Sequence, residues 1–202
     1  MTTGVDATGI GDAVIVTERL DLHPATPILT RAALGPNDLL TTAIDAVVPP
    51  SWPPQYLDAA ALEFTLAKLA QGPEQAGWWM YFIVLREGDK GRTLIGSGGY
   101  VGPPSEDGVV EIGYGIVPDH QRRGYASEAV RGLVRRAFGF PAVTKVTAHT
   151  LPELVPSIGV LKKCGFRRTG PGAEEGTIRF ELTRDEQRAL SGGAEVVRKE
   201  EA

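Results

Sequence analysis

The sequence predicts an α/β domain with a mixed β-sheet. Its 202 residues suit one domain with its own hydrophobic core. Three strand-like runs follow one another at residues 78–85, 93–101 and 109–117, and the later segments alternate between helix and strand. The resulting order, β-α-α-β-β-β-α-β-α-β-β, is typical of an α/β fold.

The first predicted elements are a strand at residues 19–23, where apolar and polar residues alternate, and two helices. The second helix is predicted over residues 56–71, because apolar residues recur there at helical spacing after a Pro-rich turn. Residues 1–18 and the charged tail 184–202 are expected to be flexible, which leaves 19–183 as the folded domain.

The three central strands are predicted to form an antiparallel meander, because short turn-like segments join them. Residues 78–85 are apolar at odd and even positions alike, so we expect helices on both faces of the sheet. Residues 124–138 carry an apolar stripe opposite charged side chains and predict the clearest helix. The remaining predicted elements are a strand at 144–150, a short helix at 156–163 and closing strands at 166–169 and 177–183.

Composition and charge exclude several classes of protein. Against 25 Asp and Glu there are 21 Lys and Arg, a formal net charge of −4, whereas a nucleic-acid binder needs a basic face for phosphate contacts. No apolar run approaches the roughly 18 residues of a membrane span, and no export signal is visible. The single cysteine, Cys164, suits a reducing compartment. We therefore expect a cytoplasmic protein without nucleic-acid or membrane partners.

The loop before the helix at 124–138 has the features of an anion site. A helix N-terminus presents unpaired backbone N–H groups and the positive end of the helix dipole. Gly124 allows close approach of the backbone, Arg122 and Arg123 add positive charge, and Ala126 is small. The alternative is an ordinary strand-to-helix turn with solvated arginines.

The preceding strand predicts a trough on one face of the sheet. Two-residue alternation places Glu111, Gly113 and Gly115 together, so that a carboxylate lies beside two positions without side chains. The alternative is that Glu111 only faces solvent and that the two glycines accommodate a bulge.

Residues 121–126, QRRGYA, resemble the Q/R-x-x-G-x-G/A motif of the GNAT N-acetyltransferase superfamily. With Gly165-Phe166 further along, residues 17–183 resemble the subgroup that includes the ribosomal-protein N-terminal acetyltransferases. The resemblance implies a central mixed, mostly antiparallel, splayed sheet of six or seven strands, with about four helices on its two faces.

The same resemblance implies that acetyl-CoA is the acetyl donor. The pantetheine arm would pair with Ile116 as an added strand. The strands at 109–117 and 144–150 would splay apart at a bulge and leave a gap for the thioester. The residues that would hold the donor's pyrophosphate are Gln121, Arg122, Arg123, Gly124, Tyr125, Ala126 and Ser127.

Acetyl transfer to an amine needs a base and a proton for the departing thiolate. Glu111 is the candidate base. By resemblance Ser157 is the candidate acid, although a Ser at a helix start is also a common cap. A Tyr and an Asn that relatives use are replaced by Leu161 and Leu154. The three histidines lack metal-ligand spacing, so no metal is expected.

The acceptor is expected to be an amine, either a protein α-amine or a small molecule. Trp52, set among four prolines, is either an aromatic wall of the acceptor pocket or a hydrophobic plug over the sheet. A homodimer is the expectation from base rates alone. Because Leu154 and Leu161 replace polar residues, a catalytically impaired CoA-binding sensor or interaction module stays open as the alternative function.

Overall fold

The computed structural model describes residues 13–190, and within that range eight strands form one sheet. The strands are β1 (Ile15–Val16), β2 (Leu20–Pro24), β3 (Met80–Gly88), β4 (Gly91–Tyr100), β5 (Val109–Ile116), β6 (Lys145–Thr150), β7 (Arg167–Pro171) and β8 (Ile178–Thr183). The helices are α1 (Pro27–Ala33), α2 (Asn37–Ile44), α3 (Ala59–Leu69), α4 (Tyr125–Gly139) and α5 (Val155–Lys163), and residues 184–190 are also helical.

The sheet runs in the order β1-β2-β3-β4-β5-β6-β8-β7. All neighbouring pairs are antiparallel except β5 and β6, which are parallel. The predicted mixed sheet and the central meander are therefore confirmed. The strand count is slightly higher than the six or seven expected.

The region before β3 contains three α-helices, one more than predicted. Thr26 caps α1 through its side chain, and Pro27 occupies the first turn. Pro36 then precedes α2, which ends at Asp45 in a left-handed conformation. These start and stop signals lie only a few residues apart, so the segment folds as two short helices followed by α3.

The predicted flexible ends lie mostly outside the described residues. Of the first segment, residues 15–16 pair with β2 as strand β1. Of the second, residues 184–190 are helical, and the Arg184 guanidinium donates hydrogen bonds to the carbonyls of Phe138, Phe140 and Val143. Ordered structure thus extends past both predicted boundaries.

The hydrophobic core lies on both faces of β3. Tyr81, Phe82, Ile83 and Val84 are all fully buried, which confirms that this strand is covered on both faces. The apolar stripe of α4 packs against the same sheet. Among residues 13–190 no helix has the length and apolar composition needed to cross a bilayer.

The sheet splays between β5 and β6. These strands pair only from Val109 to Glu111 on β5 and from Lys145 to Thr147 on β6. The expected bulge in β5 is wrong, because β4 and β5 pair without a register shift. The irregularity lies one strand away, where the β3–β4 register shifts between Ile83 and Val84.

Candidate active site

A cavity of about 780 Å³ lies against β4 and β5 beside the splay. Its wall includes residues from four elements that are distant in the sequence, namely α3, β5, β6 and α5. Four of the predicted site residues border it: Glu111, Gly113, Gly115 and Ser157. The structure therefore brings the candidate base and the candidate acid to one cavity.

Glu111 is the last residue of β5 that pairs with β6, so it lies where the strands begin to separate. Its Oε1 is 3.5 Å from Nδ1 of His149, and its side chain is 36% exposed. The other ring nitrogen of His149 is buried and has no hydrogen-bond partner among the described residues. This carboxylate–imidazole pair was not predicted, because it depends on the parallel pairing of two strands.

The two glycines of the trough differ in their surroundings. A Cβ at Gly113 would meet nothing within 4 Å, whereas a Cβ at Gly115 would lie 3.3 Å from Pro54 Cβ and 3.5 Å from the carbonyl oxygen of Gln55. Gly115 thus makes room for the loop that crosses the strand. Gly113 leaves open space beside Glu111.

Ser157 makes no helix cap. The N-cap of α5 is Leu154, without a side-chain hydrogen bond, and Ser157 Oγ instead lies 3.2 Å from the Tyr114 hydroxyl. That hydroxyl also donates to the Ser157 carbonyl at 3.1 Å. Burial raises the pKa of Tyr114 to about 12, although the Ser157 contact opposes the shift, so the phenol is protonated at neutral pH.

Tyr114 is therefore a candidate site residue that the sequence pattern did not identify. It contributes a hydroxyl group to the wall that also contains Leu154 and Leu161. Leu161 is fully buried, and neither leucine can donate a proton. The pattern of the strand could not identify the contact, because Ser157 is 43 residues away in the sequence.

The N-terminus of α4 has the geometry of an anion site. Gly124 caps the helix with φ 84° and without a side-chain hydrogen bond, and Arg122 also has a positive φ of 61°. Among the described residues, none accepts a hydrogen bond from the backbone N–H groups of residues 122–127. These groups fit the phosphates of a nucleotide, and the exposed side chains of Arg122 and Arg123 add positive charge.

A partly buried carboxylate, that of Glu128, is linked to this loop through Arg19. Glu128 accepts hydrogen bonds from Thr17 Oγ1 at 2.6 Å and from the backbone N and Nε of Arg19 at 2.7 Å each. The Arg19 guanidinium then donates to the Arg123 carbonyl at 3.2 Å and lies 4.5 Å from the ring centre of Tyr125. The sequence pattern had placed Glu128 on the exposed face of the helix.

The end of β5 connects the cavity to the anion site. Gln121 Nε2 donates to the Ile116 carbonyl at 2.9 Å, so this side chain fixes the strand end. The Val117 N–H donates to Ile95 on β4. Because backbone groups alternate along a strand, the Ile116 N–H points to the other side, into the gap toward β6.

The remaining predicted residues of the loop, Tyr125, Ala126 and Ser127, are more buried than the two arginines. Tyr125 and Ala126 are half-buried, and Ser127 is 4% exposed. The Ser127 carbonyl accepts a hydrogen bond from Cys164 Sγ at 3.4 Å. Residues 121–127 do not border the cavity, so the anion site and the cavity lie at different places along the splay.

Trp52 is buried in the core and does not border the cavity. It is 8% exposed, and its ring centre lies 6.0 Å from that of Phe82 in the core. The aromatic residues that do border the cavity include Tyr56, Phe64 and Trp79. Of the two roles open to Trp52 from the sequence, the structure favours the second.

Sequence comparison identifies related proteins. Residues 37–167 match the family model for the acetyltransferase (GNAT) domain. The uncharacterised N-acetyltransferase YjdG of Bacillus subtilis strain 168 is 33% identical over 81 residues, which are 40% of this chain and 48% of that protein. An FsC-acetyl coenzyme A-N(2)-transacetylase of Aspergillus fumigatus is 31% identical over 86 residues, 38% of this chain and 37% of that protein. The matched segments thus span about half or less of these curated relatives.

Solved structures share the fold. A structure assigned as a ribosomal-protein-serine acetyltransferase from Vibrio cholerae superimposes with a TM-score of 0.60 at 22% identity, covering 86% of this chain and 98% of that chain. The microcin C7 self-immunity acetyltransferase MccE, solved with acetyl-CoA and AMP, gives 0.58 at 14% identity, covering 88% and 99%.

Proposed function

The chain belongs to the GNAT acetyltransferase family, and from that premise we propose that it transfers an acetyl group from acetyl-CoA to a primary amine. The strongest support is the placement of two functional features along one strand. Near its start, β5 presents Glu111 to the cavity. Its end leads through Gln121 to the N-terminus of α4, where the cap residue Gly124 makes no side-chain hydrogen bond. A donor that spans both features would bring its thioester toward the carboxylate.

Acetyl-CoA would bind along the splay. The backbone N–H groups of residues 122–127 would hold the pyrophosphate, assisted by the charges of Arg122 and Arg123. The Ile116 N–H, which points into the gap, is available to the pantetheine arm or to the oxyanion of the tetrahedral intermediate. Acetyl-CoA is a substrate here, and the proposal involves no metal.

The reaction is a direct attack in a ternary complex. An ammonium group first gives its proton to Glu111, directly or through water, because only the neutral nitrogen is a nucleophile. The nitrogen then bonds to the thioester carbonyl carbon and loses its second proton to water, and the C–S bond breaks. The departing thiolate takes a proton from the Ser157 hydroxyl, which is replenished from solvent, so the products are the N-acetylated amine and CoA.

Tyr114 would position the proposed acid. Its hydroxyl contacts both the carbonyl oxygen and Oγ of Ser157, which restricts the orientation of that side chain. The contact also places two hydroxyl groups on a wall where Leu154 and Leu161 offer none.

A CoA-binding module without catalysis is the second candidate. It is favoured by one observation, the apolar side chains of Leu154 and Leu161 in the cavity wall. The two candidates share a donor site and differ only in whether an amine is acetylated.

The test is acetyl transfer that depends on Glu111. Release of CoA and the mass of the acetylated amine are measured for the wild type and for Glu111→Gln over a panel of primary amines. We expect turnover in the variant to fall by about 100-fold or more, the usual contribution of a positioned base, with unchanged affinity for acetyl-CoA.

The matched control is Glu106→Gln, which changes an exposed carboxylate in the turn before β5 and should leave turnover unchanged. Equal turnover in wild type and Glu111→Gln would refute the base assignment. If acetyl-CoA binds but no amine is acetylated, the non-catalytic module replaces the enzyme.

A further inference from the structure

One wall of the cavity is aromatic. Tyr56, Phe64 and Trp79 all border the cavity, as do Leu57 and Val101. The rings of Phe64 and Trp79 meet edge to face with their centres 5.6 Å apart, an arrangement that aromatic pairs prefer. The Trp79 indole N–H donates to Gln75 Oε1 at 2.9 Å, so this ring is held in place.

The exposure of this wall is unusual for large apolar side chains. Tyr56 is 71% exposed and Phe64 is 52% exposed, and both lie at the same cavity. Tyr56 also has φ 68°, a left-handed conformation that a bulky residue rarely adopts. Such backbone strain concentrates at functional sites. A ligand with an apolar body would cover these rings.

The charged side chains that border the cavity are acidic. Glu111 and Glu174 supply carboxylates, and no Lys or Arg is among the lining residues that the structure describes. The Lys68 ammonium lies outside this lining, 5.2 Å from the ring centre of Phe64 and 5.4 Å from that of Trp79. Its position indicates that these rings accept a cation.

We propose that the acceptor is a primary amine carried on an aromatic or other large apolar group, with no carboxylate beside the amine. Its apolar body would lie against Tyr56, Phe64 and Trp79, and its ammonium would face Glu111. A neighbouring carboxylate would enter a cavity whose lining includes the carboxylates of Glu111 and Glu174, whereas Lys68 lies outside that lining. The reaction itself rests on the proposed function, whereas the acceptor class rests on this wall.

Two sources share this chemistry, a free arylalkylamine and the N-terminus of a peptide whose first residue is aromatic. Four probes separate them: 2-phenylethylamine, a tetrapeptide amide beginning with phenylalanine, free phenylalanine and spermidine. We expect kcat/KM for one or both of the first two to exceed that of the last two by about tenfold or more, the range that apolar pocket contacts supply. The better of the first two identifies the source.

Phe64→Ser tests the wall directly. We expect it to raise KM for the preferred amine by about tenfold, the equivalent of one aromatic contact, without changing KM for acetyl-CoA. The matched control is Ile28→Ser, since Ile28 is an exposed apolar residue of α1 that does not border the cavity. It should leave both values unchanged.

Calorimetric titration of 2-phenylethylamine into the protein–CoA complex separates the two proposals. Binding without acetylation would support the acceptor class and overturn the proposed catalysis. Acetylation that favours phenylalanine or spermidine, or an unchanged KM in Phe64→Ser, would overturn the acceptor class and leave the catalysis standing.

Discussion

Replacing Glu128 by Gln should loosen the donor site without touching the cavity. Glu128 accepts hydrogen bonds from Thr17 and from two nitrogens of Arg19. Arg19 in turn donates to the carbonyl of Arg123, in the loop that we propose holds the donor's pyrophosphate. Gln keeps one acceptor oxygen but turns an amide NH₂ toward the guanidinium. The variant therefore loses the charge-assisted contact with Arg19.

The expected magnitude follows from the exposure of the two partners. Hydrogen bonds to charged groups contribute about 1.5–3 kcal/mol each, and the Arg19 side chain is 42% exposed, against 13% for Glu128. Because solvent screens the exposed partner, we expect a loss of about 2 kcal/mol in the free energy of unfolding. A weaker affinity for acetyl-CoA should accompany it, since Arg19 no longer holds the loop.

The effect should also depend on pH. Burial raises the pKa of Glu128, but the hydrogen bonds from Thr17 and Arg19 outweigh burial and hold the pKa below its ordinary value of 4.5. Because the folded pKa is lowered, the stabilisation is fully present above the unfolded value and is lost as the pH falls through the folded value. The stability difference between wild type and variant should be complete at neutral pH and should shrink in acid.

Urea unfolding at several pH values and calorimetric titration with acetyl-CoA measure both effects. Glu63→Gln is the matched control, because Glu63 is an exposed carboxylate of α3. A Glu128→Gln protein with wild-type stability and wild-type affinity for acetyl-CoA would refute the role of Glu128 in holding the loop through Arg19.

Two further substitutions test the cavity. Gly113→Val should abolish acetyl transfer, because the added side chain enters open space beside Glu111. The free energy of unfolding should change by no more than about 0.5 kcal/mol. Wild-type turnover in this variant would show that the substrates do not use the trough. Tyr114→Phe removes the hydroxyl that contacts Ser157 and should lower kcat with little change in KM, whereas adding Ser157→Ala should lower kcat only slightly more. If the loss of kcat in the double variant equals the product of the losses in the two single variants, Tyr114 and Ser157 do not act together.

The parts of the fold that were predicted correctly are those whose signals are local. The apolar run of β3 and the stripe of α4 each repeat within one element, so periodicity alone identifies them. The start of α4 at Gly124 is equally local, because the glycine and the helix start lie side by side in the chain. The three helices before β3 were miscounted because their caps are closely spaced.

The contacts that complete the site are long-range. Glu128 meets Arg19 across 109 residues, and His149 reaches Glu111 only because β5 and β6 are parallel neighbours. Sequence patterns determine which face a residue takes, but the order of strands determines its partner. Trp52 is a further example. An aromatic residue among prolines could border the acceptor cavity or pack in the core, and only its position over the sheet distinguishes the two.

The most direct test of the donor site is calorimetric titration of the purified protein with acetyl-CoA, with Gly124→Glu as the test variant and Gly139→Glu as the control at the other end of α4. A Cβ at Gly139 would meet nothing within 4 Å, so the control substitution should be tolerated. Only Gly124→Glu places a carboxylate at the N-terminus of α4. We predict micromolar binding to the wild type and the control, and none to Gly124→Glu. Equal binding by all three proteins, or no binding by the wild type, would contradict the placement of acetyl-CoA at this loop.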